Sequence, residues 1–148
     1  MKSFYNWLHE SEAPQAGESS GKPAIFKPDA KPLKKYLTVD QIFQEVQGIP
    51  YYKEVIEDFD NKDYSWPVFQ KVYQYAEHMY KNRNSLANLP PVIVVDGKLQ
   101  DGAHRISALY LLQNRLDKTN AFWKNTKLEV LFAKKEDLAE GDYAMPQL

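Results

Sequence analysis

Residues 89–112 read LPPVIVVDGKLQDGAHRISALYLL, and the fold class follows from how this stretch divides. The pair Pro90-Pro91 opens a wholly apolar, β-branched run over 92–95, which predicts a buried strand. Asp96-Gly97 is a two-residue hairpin signal. Lys98-Leu99-Gln100 then returns as a second strand. Asp101-Gly102 ends it, and an apolar-periodic segment over 103–115 predicts a helix. An antiparallel hairpin therefore feeds directly into a helix N-terminus.

That first helical turn is where chemistry gathers. Gly102 allows a backbone conformation or a close approach denied to other residues. The free N–H groups and the positive end of the dipole favour a phosphate there. Arg105 offers a planar fork suited to phosphate oxygens, and His104 can donate to phosphate or move a proton. Each has a plainer reading: Arg105 as a surface ion-pair residue, His104 as a helix-capping residue. Asp101 can cap the helix or act as a catalytic or Mg²⁺-binding carboxylate. Ile106, Leu109, Tyr110 and Leu112 bury the helix behind them. Lys98 and Gln100 line the hairpin as weaker candidates, and the direction of Ser107 is left open.

Bulk properties narrow the function classes. The chain has 148 residues, 43% of them hydrophobic, which suits one domain with a real core. Net charge is −1, so a general polyanion binder is excluded, although a local basic patch is not. Cysteine is absent, which removes disulfides, thiolate ligands and cysteine nucleophiles together. His9, His78 and His104 stand far apart and form no metal-ligand spacing. A metal site made only of protein ligands is not expected, while Mg²⁺ carried in with a nucleotide stays open. No apolar run approaches the roughly 20 residues a membrane helix needs. MKSFYNWLHE is too short and polar for a signal peptide. The expectation is a soluble, cytoplasmic protein.

Outward from the central stretch, residues 1–35 form an arm ahead of a domain over 36–148. Residues 3–10 allow a short amphipathic turn with Phe4, Trp7 and Leu8 on one side. It either packs on the protein's own body or engages a DNA or protein partner. Residues 11–35 carry four prolines, two glycines and three serines without a period, a linker composition. Ala24-Ile25-Phe26 is its one apolar patch and can pin it to the domain. Lys27, Lys31, Lys34 and Lys35 are either solvated or available to phosphates.

Within the domain, residues 38–41 (TVDQ) match a capping box. Val39, Ile42, Phe43 and Val46 come next at helical spacing, and Gly48 and Pro50 stop that helix. A second helix over 51–59 has Tyr52, Val55, Ile56 and Phe59 on one face. A third starts at Pro67, with the stripe Val68, Val72, Tyr75, Ala76 and Met79 and with His78 exposed. After the central stretch come a Lys-, Asn- and Thr-rich loop over 117–126, a buried strand over 128–133, and a tail with one helical turn. Two or three strands and four or five helices, with the strands late, predict an α+β fold: a small mixed sheet with helices packed on it.

The quoted residues also carry a resemblance. A proline-led strand, Pro91 to Val95, then the Asp96-Gly97 turn, then Asp101-Gly102-Ala103-His104-Arg105 opening a helix, resembles the ParB/sulfiredoxin superfamily. The helix over 68–82 sits where that family places one. The likeness spans residues 36–133, with its specific part about 22 residues long. It implies a nucleoside triphosphate, ATP or CTP, held over this turn with or without Mg²⁺. Gly102, Ala103, His104, Arg105 and Lys98 would bind it, and His104 and Asp101 would act in catalysis.

Three departures shape that expectation. Ala103 stands where sulfiredoxin carries its cysteine, so sulfinate reduction is excluded. The helix-turn-helix and dimerisation regions of the partition proteins do not follow the core. The form is nearest the free-serine-kinase type, whose carboxylate base could here be Glu45, Glu54, Glu57 or Glu129. The expected function is a phosphotransferase or nucleotide hydrolase. The alternative is a non-catalytic DNA- or protein-binding module on the same fold. A nuclease, the label many phage and plasmid members carry, is least supported, because no carboxylate cluster for two-metal hydrolysis is evident.

Overall fold

A computed structural model describes residues 26–139. Residues 3–10 and most of the proline-rich arm, like the tail beyond 139, lie outside the described residues. The described residues form a mixed α/β unit: a four-stranded sheet and five α-helices, with short 3-10 and π turns between them. The elements run β1 (Leu33–Thr38), α1 (Val39–Glu45), α2 (Tyr52–Asp60), α3 (Pro67–Lys81), β2 (Val92–Val95), β3 (Lys98–Asp101), α4 (Ala103–Leu111), α5 (Phe122–Asn125) and β4 (Lys127–Ala133). Spatial order in the sheet is β1-β4-β2-β3. β1 runs antiparallel to β4, β4 parallel to β2, and β2 antiparallel to β3.

The hairpin forms as its turn residues dictate. Asp96 and Gly97 both adopt positive φ, 50° and 82°, the conformation that matches strand twist in a two-residue turn. Val92–Val95 is buried at every position, because both faces of the sheet are covered there. Val92 and Val94 join the main core beneath the helices. Ile93 and Val95 face Leu138 and Phe26 on the other side. Phe26 and Leu138 also form an antiparallel bridge, so Phe26, the one described residue of the apolar patch, joins the domain.

One strand was hidden in the arm. β1 takes in Leu33, Lys34 and Lys35, so the ordered sheet begins before residue 36. Its exposed, lysine-bearing pattern reads as linker because an edge strand has little to bury. Lys34 lies 4.0 Å from Glu129 and Lys35 bonds Glu45 at 2.8 Å. Of Lys27, Lys31, Lys34 and Lys35, the last two are thus paired within the domain.

The helices start where their caps predict. Thr38 and Gln41 make the reciprocal capping box of α1, and Pro67 occupies the first turn of α3. The buried stripe of α3 is Phe69, Val72, Ala76 and Met79, with Val68 and Tyr75 at its margins. His78 is half-buried rather than exposed. α4 packs against α3 and α2, shares the main core with Val92 and Val94, and is buried almost all round, from Ala103 and Ile106 to Leu111. The polar loop after it contains a short helix, because Trp123 is fully buried and donates from Nε1 to Asp117 at 2.8 Å. No helix among the described residues is long and apolar enough to cross a membrane.

Candidate functional site

The helix N-terminus expected from the sequence is present, with a different internal wiring. Gly102 is the N-cap of α4, at φ 115°, and no side chain caps the helix. Asp101 is therefore not the cap. It is the last residue of β3, paired with Ile93. Ile93 faces Asp101 while Val94 faces Leu99, so Gln100 is an extra residue in the returning strand. Such a bulge bends the strand and re-aims the residues after it.

Arg105 turns inward. Its side chain is only 7% exposed and lies 3.9 Å from Asp101. Nη2 donates to the Pro91 carbonyl at 3.0 Å, while Nε is buried with no hydrogen-bond partner. A Cβ added at Gly102 would sit 3.2 Å from Arg105 Nη2 and 3.0 Å from Val92 Cγ2. The guanidinium thus lies directly behind the glycine turn and ties it to the start of β2. It places positive charge behind the first-turn amides of α4 rather than presenting a fork at the surface.

His104 points between α3 and the loop before α2. Its ring stacks on Tyr75 at 6.1 Å and lies tilted against Tyr51 at 5.4 Å. Burial, with the nearby charges of Lys71 and Arg105, pushes its pKa down to about 4. The imidazole is neutral at pH 7, able to donate one hydrogen bond and accept a proton.

Because the folded-state pKa lies below the ordinary 6.5, the unfolded chain binds this proton more readily. Stability from His104 is complete above pH 6.5, falls as pH drops toward 4, and levels off below that. The full difference is on the order of 3 kcal/mol. Denaturant midpoints from pH 7 to pH 4.5 should fall more steeply for the native chain than for His104→Gln. Parallel curves would show that His104 is not desolvated.

Tyr51 is the residue that sequence reading missed. It has φ 80° and ψ −35° as the N-cap of α2. A non-glycine residue there costs about 1–3 kcal/mol and persists only where its surroundings impose it. The imposing contacts are visible. Gly48 turns the chain at φ 72°, Ser107 Oγ reaches the Pro50 carbonyl at 3.5 Å, and the Tyr51 ring meets both His104 and Trp66. Ser107 is thus fully buried and faces the 48–51 loop. Beside it opens a cleft of about 370 Å³, lined by residues 49–54 and Trp66.

The other expected residues scatter. Lys98 stands at the far end of β3, roughly 13 Å along the strand from Gly102 at about 3.3 Å per residue. There the chain bridges to Gln47, so Lys98 does not join the turn. Of the four carboxylates considered as a base, Glu45 and Glu129 pair with lysines, and Glu54 lines the cleft. Lys71 was not singled out by sequence. It lies off the α3 stripe, and only packing brings its charge to His104. Among the described residues no group of three or more His, Asp or Glu is disposed to hold a metal ion. No protein-family model matches this chain, and no curated protein or solved structure matches it either.

Proposed function

We propose that the chain binds a nucleoside triphosphate, ATP or CTP, and acts as a phosphotransferase or nucleotide hydrolase of the ParB/sulfiredoxin kind. The observation that carries this reading is the uncapped glycine turn of α4, with the buried Arg105 guanidinium behind it and neutral His104 beside it. In this proposal the phosphates meet the first-turn amides of residues 103–105. Arg105 holds the turn and adds positive potential from behind. Lys71 adds charge from α3. Neutral His104 donates a hydrogen bond to the phosphates, and Asp101 restrains Arg105. Phosphoryl transfer depends mostly on positioning and charge stabilisation, so a small set of groups suffices. Mg²⁺, where it takes part, enters on the phosphates.

Thermal unfolding against ATP, CTP, GTP and UTP, each with and without Mg²⁺, tests the reading. Ligand at 100 times its Kd stabilises the folded state by about 2.7 kcal/mol, a rise of several degrees for a domain this size. ATP or CTP should produce it, and His104→Ala should reduce it. No shift with any nucleotide would overturn the assignment.

A further inference from the structure

We propose that the cleft over residues 49–54 is a separate binding site for an organic cation, with an alkylammonium head group as its ligand class. It lies beside the glycine turn, whose His104 touches Tyr51, but its lining takes no residue from that turn. The Trp66 and Tyr51 rings meet at 5.8 Å with an interplanar angle of 79°, making a two-walled aromatic corner. Tyr52 adds a third ring at the rim and Glu54 a carboxylate. The volume of about 370 Å³ falls within the roughly 300–1,000 Å³ of small-ligand clefts. Ring faces carry negative potential and attract cations most when partly desolvated. A carboxylate beside them favours a cation over a neutral group of the same shape.

Two further observations point the same way. Tyr51, whose ring forms one wall of the corner, holds a strained backbone at φ 80°. Such an outlier, held by buried Ser107 and by His104, warrants a functional reading. The cleft also already handles one ammonium of its own. Lys53 Nζ stands 5.8 Å from the centre of the Tyr52 ring. That occupies the Tyr52 face and leaves the Tyr51–Trp66 corner and Glu54 for an incoming cation. Lys53 sets the affinity by like-charge repulsion, and its removal should tighten binding.

Tetramethylammonium chloride is the probe, titrated into the full chain and followed by the indole N–H resonance of Trp66. Equal concentrations of potassium chloride and tert-butanol serve as the ionic and neutral controls. The expected result is a saturable shift with tetramethylammonium alone, half-complete at about 1–10 mM. Glu54→Gln, at an exposed position, should weaken it roughly five-fold, and Lys53→Ala should strengthen it severalfold. An equal shift with tert-butanol would make the cleft merely apolar and overturn the proposal. So would no saturation, or no effect of Glu54→Gln. The titration contains no nucleotide, so it can succeed or fail independently of triphosphate binding.

Discussion

Arg105→Ala should lower the stability of the ligand-free protein by about 3 kcal/mol. The expectation rests on where the guanidinium sits. The side chain is 7% exposed, donates to the Pro91 carbonyl at 3.0 Å and lies 3.9 Å from Asp101. Truncation removes a charged donor from a carbonyl, takes a cation from beside a mostly buried carboxylate and leaves a void behind Gly102. Lysine should rescue it only in part: both contacts run through the single atom Nη2, but an ammonium does not fill the volume of the buried guanidinium. Methionine, which keeps the volume without the donors, should fall between wild type and alanine. Urea denaturation at pH 7 reads all three. A loss of less than about 1 kcal/mol for alanine would mean the side chain behaves as an exposed residue. The distinction bears on function. A nucleotide-binding defect in Arg105→Ala is evidence for phosphate contact only once its stability loss has been subtracted, which is why His104 is the cleaner probe.

Gly102→Ala should cost a similar amount, about 3 kcal/mol, from two separable causes. The first is backbone strain, since φ is 115° and only glycine adopts that region freely. The second is contact: the new Cβ would stand 3.0 Å from Val92 Cγ2 and 3.2 Å from Arg105 Nη2. The two causes can be split by a double-mutant cycle with Val92→Ala. Shortening Val92 relieves the contact and leaves the strain, so the pair should be less destabilised than the sum of the single variants by about 1 kcal/mol. Strict additivity would place the whole cost in the backbone. For a domain of this size the single variant should melt roughly 10 °C lower. The same substitution should disturb any anion held by the first-turn amides, because the turn that presents them can no longer form without displacement.

The two variants expose which parts of the site are legible in sequence. The hairpin was legible because Asp96-Gly97 admits few other structures and because Val92–Val95 is apolar at every position. The start of α4 was legible because a glycine precedes an apolar-periodic run. The inward turn of Arg105 was not. An arginine at the third position of a helix can face either way, and the choice depends on whether a carbonyl and a carboxylate wait inside. Here Pro91 lies 14 residues earlier in the chain, and only closure of the hairpin brings it near. The same holds for Lys98, which is close to Gly102 in sequence but at the opposite end of an extended strand.

Tyr51 and β1 were missed for opposite reasons. Nothing local requires positive φ at a tyrosine. The conformation is imposed by Ser107 and His104 from α4, more than fifty residues away. β1, by contrast, forms from a sequence with too little to bury to look like a strand. Its pairing with β4 runs from Leu33 opposite Phe132 to Thr38 opposite Lys127, and that template is supplied by the far end of the chain.

Local chemistry by itself determined the turn, the capping box, the helix stripes and the α/β character, since each depends on residues within a few positions of one another. Tertiary structure alone decided that Arg105 lies behind the glycine turn, that His104 is desolvated between Tyr51 and Tyr75, and that Trp66 and Tyr51 form a corner beside Glu54. Those are properties of distance between segments, and a residue's burial, charge environment and ring partners exist only once the segments have met.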